Sequence, residues 1–131
     1  MLLVDDNLDT LDLLEMFLYR DFEIFTAGNG FDGFNVAAKE LPDLVITDIM
    51  MPVMDGIRLF NDLHKQKKTA DIPVVAMTAF LKKITRKSLL NMGFKGVISK
   101  PVDRQRLMIM LNRVLTLPDL LSDVQVTDET I

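Results

Sequence analysis

The chain contains no cysteine. That excludes a disulfide framework, a thiol nucleophile and a zinc–thiolate site, and it fits a reducing compartment. No apolar run exceeds a few residues, far short of the roughly 20 that cross a bilayer. Asp5 and Asp6 follow the first four residues, all apolar, so no signal-peptide core forms there, and the expected location is the cytoplasm, away from membranes. Positive charge is not in excess: 15 Lys and Arg stand against 19 Asp and Glu, a net charge of -4 with pI about 4.9. A protein that grips phosphate backbones is usually basic, so direct nucleic-acid binding is not expected. Internal repeats and low-complexity tracts are absent. No glycine-rich phosphate loop follows the first apolar run, where Asp5-Asp6-Asn7 stands instead; this argues against a flavodoxin-like nucleotide binder.

What remains is ordinary globular material. The 131 residues are 49% hydrophobic and 26% charged, enough for one domain with one real core. Short apolar runs occur at Leu2 to Val4, Glu23 to Thr26, Leu44 to Thr47, Val74 to Met77 and Val97 to Ser99. They are rich in Val, Ile and Leu with little polar alternation, as strands buried on both faces of a parallel sheet are. Helical periodicity fills the intervals, through Leu8, Leu11, Leu14 and Leu18, then Phe31, Phe34, Ala38 and Leu41, then Leu59, Phe60 and Leu63. A less regular helix is expected between Leu81 and Asn91, stopped by Met92-Gly93. The last helix is marked by Leu107, Met110, Leu111 and Val114, with Asp103 as N-cap and Val102 and Leu107 placed as a hydrophobic staple. Five strand–helix repeats predict an α/β fold: a flavodoxin-like (βα)5 three-layer sandwich on a parallel five-stranded sheet of order 2-1-3-4-5. Pro118 is expected to end the last helix. Residues 1–117 then form the domain, and 118–131 form an acidic tail or linker stub.

In such sheets chemistry collects at the carboxyl ends of the strands. The residues that follow the central runs are Asp5 and Asp6, then Asp48, Thr78 and Lys100. Each pair of like charges about 4 Å apart costs roughly 4 kcal/mol at an effective dielectric of about 20. A nearby lysine and a hard divalent cation bound through oxygen would both relieve this. Lys100 supplies the first, and Mg²⁺, or Mn²⁺ in its place, suits the second. A carboxylate between such a cation and an ammonium is equipped to accept a phosphoryl group. Asp48, on the central strand, is the nucleophile in this reading; Asp5 and Asp6 hold the metal, and Thr78 donates a hydrogen bond. One Asp at a strand end is usually a turn former or a cap; five such residues on four strands are not.

Four pieces, Leu3-Val4-Asp5-Asp6-Asn7, Asp48-Ile49-Met50-Met51-Pro52-Val53-Met54-Asp55-Gly56, Met77-Thr78-Ala79 and Ser99-Lys100-Pro101, occur in the order and spacing of one family. Over about residues 1 to 117 the chain resembles the receiver domain of two-component response regulators. The resemblance implies that Asp48 is the phospho-acceptor, charged by a phosphohistidine on a sensor histidine kinase or histidine phosphotransfer protein. It implies Mg²⁺ on Asp5, Asp6, Asp48 and the Met50 backbone carbonyl, with Thr78 as switch hydroxyl and Lys100 as ion-pair partner. It further implies a cis Lys100–Pro101 bond, Asp55-Gly56 at the opening of the third helix, and a downstream protein partner on the face of the fourth helix, fifth strand and fifth helix. Such a domain assists its own phosphorylation and dephosphorylation and is otherwise a signalling module, not an enzyme. One departure stands out: where relatives carry Tyr or Phe three residues before the lysine, this chain has Val97. Met1 also falls close to the first strand, so the natural start is expected upstream.

Met50 and Phe80, two residues beyond Asp48 and Thr78, are apolar and could shield an acyl phosphate from water. His64 reads as a solvated surface residue. Lys82, Lys83, Arg86 and Lys87 read as a solvated helix face or a site for an acidic partner. The nine methionines are core and loop filling. An aspartyl-phosphate hydrolase would want an acid where Met50 stands. A phosphorylation-independent pseudo-receiver would be expected to lack one of the acids, the hydroxyl or the lysine. A receiver fragment of a larger regulator or hybrid kinase remains the other reading.

Overall fold

The computed structural model describes residues 1–79 and 86–115. The readings of Phe80, Leu81, Lys82, Lys83, Pro118 and the acidic tail lie outside them. Five strands alternate with five helices: β1 (Leu2–Val4), α1 (Leu8–Leu18), β2 (Phe25–Ala27), α2 (Gly30–Glu40), β3 (Val45–Asp48), α3 (Gly56–Lys65), β4 (Val74–Thr78), α4 (Arg86–Met92), β5 (Gly96–Ser99) and α5 (Arg104–Val114). All strand pairs are parallel, in the order β2-β1-β3-β4-β5. The flavodoxin-like architecture expected from the alternation is the one present.

Successive strand residues serve opposite layers. Leu2, Val4, Val45, Val74, Ala76 and Val97 share a core with Ala37, Leu59 and Leu89, so α2, α3 and α4 cover one face. Leu3, Ile46, Val75, Met77 and Ile98 share the other core with Leu11, Leu14, Leu107 and Leu111, so α1 and α5 cover the second. Both faces being apolar, the strands read as continuous hydrophobic runs. Each fully buried leucine contributes about 1.5–3 kcal/mol.

The first strand has the limits read from the sequence, and the other four differ by one or two residues. The second is the largest shift, Phe25–Ala27 instead of Glu23 to Thr26. Two helix faces also differ. Leu8 is 72% exposed and lies off the core stripe of α1. In α2 the buried positions are Gly30, Gly33 and Ala37, while Phe31 and Leu41 are half exposed. The reason is proximity. A Cβ at Gly30 would stand 2.6 Å from the Met54 carbonyl oxygen, and one at Gly33 would stand 3.0 Å from Val4. The helix therefore turns its smallest residues inward, which a search for large apolar side chains does not find.

Helix entries follow capping chemistry. Asn7, Asn29, Asp55 and Asp103 each accept the N–H three residues on, at 2.8–3.2 Å. Gly93, with φ of 120°, follows the end of α4 as its sequence position suggested. The Gly30→Ala substitution should destabilise the fold by about 1–3 kcal/mol, because the obstructing oxygen is backbone and cannot swing aside. Urea unfolding measures this; an unchanged midpoint would show that the α2 contact is slack.

Candidate functional site

The C-terminal rim of the sheet gathers every residue that the sequence nominated there. Asp5 follows β1, Asp48 ends β3, Thr78 ends β4 and Lys100 follows β5. Thr78 pairs with Ser99 in the β4–β5 register, and the Lys100 N–H donates to the Thr78 carbonyl at 3.0 Å. The residue bearing the hydroxyl and the one bearing the ammonium are thus joined through the backbone. Thr78 is fully buried.

Asp5, Asp6 and Asp48 each offer a carboxylate oxygen, and these oxygens all lie within 4.8 Å of one another. Asp5 is fully buried, Asp48 is 5% exposed and Asp6 opens to solvent. The Lys100 ammonium stands 2.7 Å from Asp5 Oδ2 and 3.3 Å from Asp48 Oδ2. Asp5 Oδ1 accepts the Asn7 N–H at 2.9 Å. Its buried Oδ2 meets the ammonium but takes no well-aligned hydrogen bond. An all-oxygen cluster with one such under-satisfied atom and one solvent-facing acid fits a hard divalent cation that keeps some of its waters. Among the described residues this is the one cluster of three or more such ligands close enough together to hold an ion.

The loop after β3 is built tightly. The Gly56 N–H returns to the Ile49 carbonyl at 3.0 Å, and a Cβ at Gly56 would overlap the Asp48 carbonyl oxygen. Asp55 then caps α3, which opens at Gly56 as the family resemblance implied. Between them, the Met54 N–H donates to the Pro52 carbonyl at 2.8 Å around Val53, whose φ is 69°. A β-branched residue in that region is strained. Met51 and Met54 are buried on either side and hold the turn, while Val53 is 94% exposed and Met50 half exposed at the rim. The Lys100–Pro101 bond is cis. Lys100 and Pro101 also border a hollow of about 380 Å³ with Asn7, Thr10, Leu13 and Ala79. A larger hollow, about 780 Å³, opens at the opposite rim beside Met1, Phe22 and Leu44, away from the carboxylates.

Three details escaped the sequence reading. Asn7 both caps α1 and donates its N–H to Asp5. Thr47 Oγ1 donates to the Asp48 carbonyl at 3.0 Å from a buried position. Arg86 reaches the Val97 carbonyl. An Asn just before a leucine-rich helix is a recognisable cap signal; the other two depend on register. His64 is exposed, with its Nδ1 3.2 Å from the Phe60 carbonyl and its ring on Phe60, as a surface reading anticipates.

Burial, and then the Asp5 charge, hold the Asp48 carboxyl above its ordinary range; Lys100 and the Met50 N–H oppose them without winning. For Lys100, burial pulls downward, but the close contact with Asp5 and the Asp48 and Asp5 charges outweigh it and raise its pKa. One ammonium is too little for this many carboxylates. An acid whose pKa is raised by folding weighs against the folded state once ionised and not when protonated. In metal-free buffer, Asp48→Asn should therefore raise Tm at pH 7 by a few degrees. That advantage should shrink as pH falls from the raised Asp48 value toward the ordinary 3.8. An unchanged or lower Tm at pH 7 would contradict the charge imbalance.

Comparison with known proteins agrees with this geometry. The sequence profile of the response regulator receiver domain matches residues 1–112. A probable transcriptional regulator, ycf29 of Porphyra purpurea, is 35% identical over 88% of this chain, which spans 55% of that protein. The crystal structure of a response regulator from Desulfuromonas acetoxidans superposes with a TM-score of 0.81 at 39% identity, covering 89% of this chain and 96% of that one. The receiver domain of a sensor histidine kinase from Pseudomonas aeruginosa PAO1, solved with a magnesium ion in its active-site cleft, gives 0.80 at 25% identity, covering 88% and 95%. The chain belongs to the response regulator receiver domain family.

Proposed function

We propose that this chain is a phospho-acceptor switch: Asp48 takes a phosphoryl group from a phosphohistidine on a sensor histidine kinase or a histidine phosphotransfer protein. The observation that carries the reading is the Lys100 ammonium, shared between Asp5 and Asp48 beside a cluster of three carboxylates. Asp5, Asp6, Asp48 and the Met50 carbonyl would hold Mg²⁺, which when bound neutralises charge on the phosphoryl oxygens. The transfer itself is a displacement. An Asp48 carboxylate oxygen forms a bond to phosphorus, the phosphorus–nitrogen bond breaks, and its electron pair stays on the donor imidazole. Lys100 remains against the site as a fixed cation, and the Thr78 hydroxyl donates to a transferred oxygen. Water later attacks phosphorus and restores the carboxylate.

In this reading the chain acts on no substrate besides itself, and its output is a protein partner on the face of α4, β5 and α5. The domain boundary at residue 117 belongs to the same proposal. A second arrangement, in which this domain is one part of a longer regulator or hybrid kinase, is favoured by the 55% share of the ycf29 protein that the chain spans. A phosphorylation-independent pseudo-receiver is disfavoured, because acids, hydroxyl and lysine are all present at one rim.

Incubation with acetyl phosphate and Mg²⁺, read by intact-protein mass spectrometry, should add one phosphoryl group. Omitting the metal or introducing Asp48→Asn should abolish the gain; labelling that persists in Asp48→Asn would place the acceptor elsewhere. Met50, half exposed beside the acceptor, should shield the acyl phosphate from water. Met50→Asn should accordingly lose phosphate faster in a phosphate-release assay, and an equal rate would remove that role.

A further inference from the structure

The nine methionines differ widely in their access to solvent. Met1, Met51, Met54 and Met77 are buried, and Met108 and Met110 pack half-buried against the core. Met16, Met50 and Met92 are 61%, 50% and 48% exposed. A thioether reacts with dissolved oxidants only as far as they can reach it, so these three are the ones open to peroxide. Met16 lies in the last turn of α1, and Met92 ends α4. Both helices connect parallel strands and so run back from the acidic rim toward the opposite one, which carries both residues away from the carboxylates.

Of the three, Met50 stands at the rim. It is two residues past Asp48, and its N–H acts on the Asp48 carboxyl. The loop holds it there. Met51 and Met54 are buried beyond it, and the Gly56 N–H is tied back to the Ile49 carbonyl. Oxidation at Met51 or Met54 would strand a strong hydrogen-bond acceptor in the core. At Met50 the same oxygen faces water. The fold tolerates it there, while the surroundings of Asp48 change from apolar to polar.

We propose that Met50 is a site of reversible oxidation whose sulfoxide shortens the life of the phosphoryl group on Asp48. This rests on the reading of Asp48 as the acceptor with Met50 as its cover. The oxidant is hydrogen peroxide. The sulfur lone pair forms a bond to one peroxide oxygen, the oxygen–oxygen bond breaks, and the proton of the transferred hydroxyl joins the departing hydroxide as water. Sulfur is oxidised by two electrons and the peroxide is reduced by two. The flexible apolar side chain becomes a polar one that accepts hydrogen bonds and holds water against the acyl phosphate. A sulfoxide is uncharged, so the charge balance of the rim is kept and Asp48 still takes its label. If Met50 merely consumed peroxide, as Met16 and Met92 can, its oxidation would leave phosphate release unchanged.

The test treats wild type, Met50→Leu and Met16→Leu with dilute hydrogen peroxide, removes the excess with catalase and maps oxidation by peptide mass spectrometry. Each is then labelled with acetyl phosphate and Mg²⁺, desalted, and followed for phosphate release against its own untreated form. Met50 should oxidise alongside Met16 and Met92, ahead of Met51, Met54 and Met77. Release should become about two- to fivefold faster in treated wild type and treated Met16→Leu, a barrier change of about 0.4–1 kcal/mol. Treated Met50→Leu should keep its untreated rate. Methionine sulfoxide reductases acting on both sulfoxide epimers should return wild type to its untreated rate. The proposal is overturned if Met50 stays reduced while Met16 and Met92 oxidise, or if treated wild type releases phosphate no faster or no longer takes a label. It is equally overturned if peroxide accelerates Met50→Leu as much as wild type. Untreated wild type that takes no phosphoryl group overturns the acceptor reading instead.

Discussion

Electrostatic repulsion among Asp5, Asp6 and Asp48 is the constraint around which this molecule is arranged. Placing their oxygens within 4.8 Å of one another costs free energy that the fold offsets locally. Lys100 answers part of it from beyond β4, two strand positions from Asp48 and three from Asp5. The rest is held over as a raised Asp48 pKa and an incompletely satisfied Asp5 oxygen. Such a site favours anything that brings positive charge, as a hard divalent cation would.

Rigidity is distributed to suit that site. The loop carrying Met50 is pinned by buried methionines on both sides of a strained Val53 and by the close approach of Gly56 to Asp48. The helix α2 leans its glycine face on that loop through Gly30 and on β1 through Gly33. On the other side of the sheet edge, the described part of α4 buries Leu89, is followed by the Phe94–Phe60 stack, and reaches the Val97 carbonyl through Arg86.

The polar residues at the rim were legible because each directly follows an apolar run, and a parallel sheet brings the ends of neighbouring strands together. Asp103 was legible as a cap because that chemistry is local, whereas Asp55 was placed at the opening of α3 by the family resemblance. The inward face of α2 was not. Periodicity weighs large apolar side chains, whereas Gly30, Gly33 and Ala37 are inward because the partner surfaces lie too close for anything larger. Leu8 misled for the opposite reason, since it fits the period of α1 yet projects past the edge of the core.

The sequence by itself determined the order of strands and helices, the cap at Asp103 and the identity of the five residues at the rim. Those depend on local propensity, on hydrophobic period and on the rule that functional groups follow parallel strands. Only the tertiary structure decided which carboxylate shares the ammonium, which face of α2 turns inward and what Arg86 grips. These are set by distances between segments remote along the chain, and no local pattern encodes such a distance.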